Sequence, residues 1–235
     1  MNKLREALEN SLRAIVEPII SYLSRKRVHP NLLSTAGFVI TCASGYYFHQ
    51  HHVRTAGALI LIGGIFDLFD GSVARRTGLA SAFGAFYDST LDRLSEIIVY
   101  FGLLSLYNDY RLELGDVAMI YWVMMAMAGS IMISYTRARA EALGVPCTVG
   151  LMQRPERVLL IGSSALFFGE MNQGIVLKAV IIVLAILTNL TVLQRILWVY
   201  RHTRPSKLDG VQLAGEETDG EPASDPGVDA PGTAT

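Results

Sequence analysis

The sequence predicts an all-α integral membrane protein with six transmembrane helices and an N-terminal amphipathic helix beside the membrane. Three observations lead to this fold class. About half of the 235 residues are apolar (51%) and only 17% are charged, below the roughly one quarter of a typical soluble protein. The apolar residues form long runs that do not alternate as a β-strand would. Because backbone groups within lipid must be paired, such runs are expected to be helical.

The first element is an amphipathic helix predicted within residues 1–28. Its apolar residues recur at intervals of three or four, the spacing of one helix face: Leu4, Leu8, Leu12, Ile15 and Ile19. A helix of this kind can lie along the membrane surface.

A membrane domain over residues 29–203 contains six apolar runs, each near the roughly 20 residues needed to span a bilayer. We predict spans at residues 31–49, 55–75, 84–107, 116–138, 156–170 and 174–200. Basic residues flank these runs at alternate ends. If all six runs span the membrane, most of the basic residues lie on the same side of it. The positive-inside rule then predicts a multi-pass protein of the cell (cytoplasmic) membrane with both termini in the cytoplasm.

The last region is an acidic tail, residues 204–235, rich in Gly, Pro and Ala. Of the 20 basic and 21 acidic residues in the chain, two and seven lie beyond position 201, which leaves a mildly basic body. The tail cannot bury enough apolar surface to fold alone, so it is predicted to be disordered. The basic body suits anionic lipid headgroups or phosphorylated substrates, and no nucleic acid partner is expected.

Acidic residues inside the second and third spans are the informative departure from this pattern. A charge near the bilayer centre costs at least ~2.5 kcal/mol, so it needs a compensating partner or a function. Asp67 and Asp70 are three residues apart and Asp88 and Asp92 are four apart, so each pair shares one helix face. Both pairs lie near the loop that joins the two spans. All four carboxylates can therefore converge at the cytoplasmic side.

Four converging carboxylates repel one another at low dielectric, but divalent cations remove that repulsion. Oxygen ligands suit Mg²⁺ or Mn²⁺, and two such ions can neutralise the charge on a transferred phosphate. The alternative is that the aspartates cap helix ends or pair with Arg75, Arg76 and Arg93. Capping accounts for one or two of the four, which favours the metal site.

The segment from residue 67 to residue 92, DLFDGSVARRTGLASAFGAFYDSTLD, resembles the signature of the CDP-alcohol phosphotransferases. That signature reads D-x2-D-G-x2-A-R-x8-G-x3-D-x3-D. Its fixed positions are all matched, by Asp67, Asp70, Gly71, Ala74, Arg75, Gly84, Asp88 and Asp92. The number of spans and the N-terminal helix extend the resemblance over roughly residues 1–200.

The resemblance implies an enzyme that transfers a phosphate-linked group from CDP-diacylglycerol, or a similar CDP-lipid, to an alcohol and releases CMP. It implies that Asp67, Asp70 and Asp88 bind two divalent metal ions, and that Asp92 lies near the second ion and acts as general base. It also implies a CDP-lipid site that includes a Pro-Asn element: Pro30, Asn31, Gly71, Ala74 and Arg75. A homodimer is expected because homodimers are usual in this family.

The acceptor is predicted from arginines near the cytoplasmic ends of the fourth and fifth spans. Arginine binds phosphate through two parallel hydrogen bonds, which favours a phosphorylated small alcohol as the acceptor. These arginines are Arg137, Arg139, Arg154 and Arg157. Their surroundings, together with Arg195 in the last span, resemble the bacterial phosphatidylinositol phosphate synthases, which implies inositol phosphate. Glycerol 3-phosphate is the alternative acceptor, and the arginines can also simply anchor helix ends among lipid headgroups.

Two other classes of protein fit the composition. Membrane prenyltransferases also place aspartate-rich helices around Mg²⁺ and a diphosphate, but their two aspartate motifs lie far apart in sequence. A cation channel or transporter predicts acidic residues along a path through the bilayer. In this sequence the two aspartate pairs are adjacent, unlike the motifs of the prenyltransferases, and the charges gather at one side of the membrane, unlike those of a channel. Both classes therefore rank below the phosphotransferase.

Overall fold

The computed structural model describes residues 17–109, 116–169 and 171–203. Within these ranges the chain is helical and contains no β-strand, which confirms the all-α prediction. Residues 17–25, here called α1, are helical. The rest of the predicted N-terminal helix and the whole predicted acidic tail lie outside the described residues.

Six longer helices follow α1 in the described part of the chain, and their bounds lie within four residues of the predicted spans. They are α2 (Pro30–His49), α3 (Val53–Thr77), α4 (Ala82–Asn108), α5 (Val117–Ala142), α6 (Arg154–Phe168) and α7 (Ile175–His202). Among the described residues, three helical segments are long and apolar enough to cross a membrane: Val53–Thr77, Val117–Ala142 and Met171–His202. A count of six spans therefore stays a prediction. The first turn of the third segment, Met171–Gly174, is a 3-10 turn that precedes α7.

Local sequence signals set the helix ends nearest the aspartates. Pro30 is the first residue of α2, where its missing N–H costs nothing. Gly78 follows α3 with φ of 69°, a left-handed conformation that glycine adopts without strain. Ser81 then caps α4 and accepts a 3.0 Å hydrogen bond from the Gly84 N–H. This short turn brings the start of α4 beside the end of α3.

The helices pack around two groups of buried apolar side chains. α2 packs against α3 and α4, α6 packs against α3, and α5 packs against α7 and α4. The main core lies between these helices and includes Phe48, Tyr100, Leu103, Leu177 and Leu184. A smaller group joins α1 to the ends of α2 and α3: Ile20, Leu33, Phe69 and Val73. This smaller group supports the end of the bundle that carries the aspartates.

Gly102 of α4 lies against Gly45 of α2, where the two helix backbones are in direct contact. A Cβ added at Gly102 would lie 2.5 Å from the Gly45 carbonyl oxygen and 2.7 Å from its Cα. We expect Gly102→Ala to force α4 away from α2 and to lower stability by about 1–3 kcal/mol, measured as a lower melting temperature in detergent. Gly64→Ala is the matched control, because its Cβ would meet only a methyl group of Val158, at 3.0 Å. Equal melting temperatures for Gly102→Ala and the unmodified protein would contradict the expectation.

Candidate active site

The structure brings the four aspartates of the signature together where α3 and α4 meet. Asp67 and Asp70 lie one turn apart on α3, and Asp88 and Asp92 lie one turn apart on α4. Asp70 and Asp88 face the same cavity. Asp92 is close enough to the other three carboxyls for each to influence it electrostatically. The two pairs therefore form one acidic cluster.

Asp70 is the most deeply buried aspartate of the cluster, with 3% of its surface exposed. Its Oδ2 accepts a 2.6 Å hydrogen bond from the hydroxyl of Ser34, which is itself buried in α2. A buried carboxylate without such a partner is costly, so Ser34 stabilises and orients Asp70. Ser34 is not among the residues that the sequence pattern singles out, and its one signal is its place one turn after Pro30.

Arg154, the first residue of α6, lies between the two helices that carry the aspartates. Its Nη1 is 2.6 Å from Asp67 Oδ2 and 2.8 Å from Asp92 Oδ1. The sequence suggested arginines of α3 and α4 as partners for the aspartates, but the observed partner comes from α6. In the part of the chain that the structure describes, no three metal-ligating side chains form a preassembled group. A guanidinium instead bridges the carboxylates of α3 and α4.

A cavity of about 210 Å³ opens on one side of the acidic cluster, between α2, the end of α3 and the start of α4. Its lining contains all five residues predicted to bind the CDP-lipid: Pro30, Asn31, Gly71, Ala74 and Arg75. Asp70 and Asp88 also line it, and Ser34 and Ser81 contribute hydroxyl groups. We call this space the signature cavity.

A second cavity, of about 550 Å³, lies on the other side of the cluster, between α4, α5, α6 and α7. We call it the arginine cavity after the residues in its lining, Arg93, Arg137, Arg154, Arg157 and Arg195. Asp92 lies in its wall, and Ala85 lines both cavities. Four of the five arginines predicted to bind the acceptor phosphate therefore line this cavity. Arg139 does not line it and is exposed elsewhere on α5.

Arg157 forms a buried ion pair in the wall of the arginine cavity. Its Nε lies 2.7 Å from Glu96 Oε1, and its Nη2 lies 3.1 Å from Glu96 Oε2. Arg157 is 2% exposed, and it also donates to the backbone carbonyl of Met152 at 3.3 Å. This two-point contact joins α6 to α4 beside the acidic cluster.

The other arginines predicted to bind the acceptor phosphate differ in how accessible they are to a ligand. Arg195 is 3% exposed and donates to the backbone carbonyls of Ile133 and Val149, so it ties α7 to α5 and to the loop before α6. Arg137 is about half exposed and pairs with Glu141 one turn later on α5. Arg137 is therefore more open to a ligand than Arg195.

Comparison with known proteins assigns the chain to one family. The family model for CDP-alcohol phosphatidyltransferase matches residues 27–200. The chain belongs to the CDP-alcohol phosphatidyltransferase family. It is thus a transferase of phospholipid biosynthesis, which confirms the class of enzyme that the aspartate signature implied.

The similar proteins include synthases from archaea and bacteria. Archaetidylinositol phosphate synthase of Methanothermobacter thermautotrophicus is 33% identical over 205 residues, which are 87% of this chain and 100% of that protein. Phosphatidylinositol phosphate synthase of Mycobacteroides abscessus is 32% identical over 198 residues, 83% of this chain and 87% of that protein.

A solved structure extends the similarity to three dimensions. The crystal structure of Mycobacterium tuberculosis phosphatidylinositol phosphate synthase with CDP-DAG bound matches with a TM-score of 0.71 and 27% identity, over 80% of this chain and 94% of that one. The same mycobacterial enzyme in complex with manganese and citrate matches with a TM-score of 0.70 and 27% identity, over 79% and 88% of the two chains.

Proposed function

We propose that this enzyme transfers the phosphatidyl group of CDP-diacylglycerol, or of a related CDP-lipid, to inositol 1-phosphate, giving phosphatidylinositol phosphate and CMP. The observation that carries the proposal is the pair of cavities that meet at the acidic cluster. A CDP-lipid in the signature cavity and a phosphorylated alcohol in the arginine cavity would have their reacting groups beside Asp88 and Asp92. The names of the similar synthases, which specify inositol phosphate lipids, support this choice of acceptor.

The acidic cluster is proposed to bind two divalent cations, Mg²⁺ or Mn²⁺, through Asp67, Asp70, Asp88 and Asp92. Its donors are all carboxylate oxygens, the ligands that these hard cations prefer. The crystal structure of the mycobacterial enzyme in complex with manganese supports a divalent cation as the cofactor. Bound cations would neutralise the charge on the transferred phosphoryl group and on the leaving group.

The hydrogen bond from Ser34 to Asp70 leads to a prediction about the affinity of this site for metal. We expect Ser34→Ala to lower Mn²⁺ affinity by about 10-fold or more, because outer partners that orient a ligand typically matter by that amount. Isothermal titration calorimetry of the detergent-purified protein measures the change. Ser44→Ala is the control, since Ser44 is also buried in α2 but donates only to the Thr41 carbonyl. Unchanged Mn²⁺ affinity in Ser34→Ala would show that Ser34 does not orient Asp70 for metal binding.

Asp92 is the proposed general base. It lies in the wall of the arginine cavity, so an acceptor hydroxyl there can reach its carboxylate directly or through one water. As Asp92 takes the proton, the acceptor oxygen forms a bond to the lipid-linked phosphorus and the bond from that phosphorus to the CMP oxygen breaks. CMP then leaves the signature cavity, and Arg75, which lines that cavity, would stabilise its phosphate charge.

The charge of the arginine cavity favours an acceptor that carries its own phosphate. Five arginines line it against three acidic residues, Asp92, Glu96 and Glu141. Arg137 and Arg154 keep part of their side chains exposed and can form the parallel hydrogen bonds that phosphate accepts. Glycerol 3-phosphate carries the same charged group, so it is the acceptor against which inositol 1-phosphate must be tested.

The proposal includes six transmembrane spans, α2 to α7, in the cell membrane, with the acidic cluster and both termini on the cytoplasmic side. α2 and α4 have 20 and 27 residues, or about 30 and 40 Å at the usual rise, and α6 is shorter, with 15 residues. Large apolar side chains are exposed along these three helices, as lipid contact requires: Leu32, Val39, Leu94, Phe101, Leu159 and Phe167. The homodimer that the family resemblance implies also belongs to this proposal.

Release of CMP by the purified protein tests the proposed reaction. The assay supplies CDP-diacylglycerol and Mg²⁺ or Mn²⁺, with inositol 1-phosphate, glycerol 3-phosphate or unphosphorylated inositol as the acceptor. We expect release with inositol 1-phosphate and loss of release on chelation of the metal. Release only with glycerol 3-phosphate would overturn the acceptor, and release with free inositol would overturn the role of the arginine cavity in binding phosphate.

A further inference from the structure

Arg154 contacts the acidic cluster and also lines the arginine cavity. A single nitrogen, Nη1, contacts oxygens of Asp67 and Asp92 at 2.6 and 2.8 Å. The same side chain lines the arginine cavity, and 26% of it is exposed. Arg154 therefore connects the carboxylates proposed to bind metal with the space proposed to bind the acceptor phosphate.

A divalent cation and the Arg154 guanidinium compete for the same carboxylate oxygens. A cation bound by Asp67 and Asp92 would take the oxygens to which Nη1 makes its two contacts. The two positive groups also repel each other strongly at such short range. Metal binding at these oxygens therefore requires Arg154 to give up at least one of its contacts.

The backbone on either side of Arg154 is held in place, so the side chain can move without the helix. Before it, the Met152 N–H donates to Thr191 Oγ1 of α7 at 3.3 Å. After it, Arg157 forms its two-point pair with Glu96 of α4. A guanidinium released from the carboxylates thus stays beside the arginine cavity, where an acceptor phosphate offers it a new partner.

Resting on the proposed function, we infer that Arg154 exchanges between the two carboxylates and the phosphate of the acceptor. Metal binding frees Arg154 to bind phosphate, and phosphate holds Arg154 away from the metal ligands. The divalent cation and the phosphorylated acceptor consequently bind with positive cooperativity, each raising the affinity for the other by the same factor. Arg154 is thereby a coupling residue between the two halves of the site.

Mn²⁺ titration by calorimetry, with and without inositol 1-phosphate and in the absence of CDP-lipid, tests this exchange without requiring turnover. In the unmodified protein we expect inositol 1-phosphate to tighten Mn²⁺ binding by about 5-fold or more, within the usual range of coupling between sites. Arg154→Gln is expected to bind Mn²⁺ more tightly than the unmodified protein when no acceptor is present, and to lose the tightening by inositol 1-phosphate.

Arg137→Gln is the matched control, because Arg137 lines the same cavity but pairs with Glu141 and not with the aspartates. It should weaken acceptor binding without tightening Mn²⁺ binding in the absence of acceptor. If Arg154→Gln does not fold, Arg154→Lys serves instead and should reduce the coupling while keeping the charge. Equal Mn²⁺ affinity and equal coupling in the Arg154 variant and the unmodified protein would overturn the exchange, while CMP release would still support the proposed function. Absence of Mn²⁺ binding and of CMP release in the unmodified protein would overturn both.

Discussion

Asp92→Asn is expected to lower the rate of CMP release by about 10²- to 10⁴-fold, the usual contribution of a general base. Asparagine keeps the size of the side chain and can still accept a hydrogen bond from Arg154, which lies 2.8 Å from Asp92 Oδ1. It cannot accept the proton of the acceptor hydroxyl. Because Asp92 does not line the signature cavity, affinity for the CDP-lipid should change little.

Initial rates at saturating acceptor, together with CDP-lipid binding measured by calorimetry, separate these two effects. Asp116→Asn provides the control. Asp116 caps α5 with its side chain and pairs with Lys178, and asparagine caps a helix about as well as aspartate. The control should therefore retain its rate. A rate for Asp92→Asn above a tenth of the unmodified rate would show that another group takes the proton.

Glu96→Gln is expected to destabilise the protein by about 3–5 kcal/mol, the cost of removing one partner from a buried ion pair. Arg157 is 2% exposed and makes both of its carboxylate contacts to Glu96. Glutamine has nearly the same shape but only one carbonyl acceptor and no charge, so the guanidinium would remain buried without a compensating anion. The change also loosens the junction of α4 and α6 that positions Arg154.

Thermal unfolding in detergent measures the loss, and we expect the melting temperature to fall by roughly 10 °C for a chain of this size. Glu141→Gln is the control, because the Glu141–Arg137 pair is about half exposed and such pairs contribute about 0–1 kcal/mol. The double variant Glu96→Leu, Arg157→Met should recover much of the stability, since it removes both buried charges. An unchanged melting temperature in Glu96→Gln would mean that the pair does not stabilise the fold.

These two variants affect the site in different ways. Asp92 acts on the reacting atoms, so its replacement should change turnover in a protein that remains folded. Glu96 acts through Arg157 and the start of α6, so its replacement should change stability first and turnover as a consequence. Measuring both quantities for both variants distinguishes the chemistry of the acidic cluster from the structure that supports it.

The helices could be predicted from the sequence because their signals are local, and the residues of the signature cavity followed from the resemblance to a family signature. Apolar runs predict the helices to within four residues, and in the structure Pro30, Gly78 and Ser81 lie at their ends. The i,i+3 and i,i+4 spacing of the aspartates places each pair on one helix face whatever surrounds it. Six of the eight signature residues, all but Asp67 and Asp92, line one cavity because they lie on the facing ends of two helices joined by a short turn.

The partners of Arg154 and Arg157 were decided by the tertiary structure alone. Arg154 meets Asp67 and Asp92, and Arg157 meets Glu96 about 60 residues away in sequence, while Arg139 lies outside the arginine cavity. Which long side chain reaches which carboxylate depends on the rotation and depth of α6 relative to α3 and α4. Residue spacing within one helix contains no information about those quantities, because they arise from packing between helices. The sequence by itself therefore determined the family, the helices and the acidic cluster, and the tertiary structure decided how arginines divide between supporting the fold and serving the site.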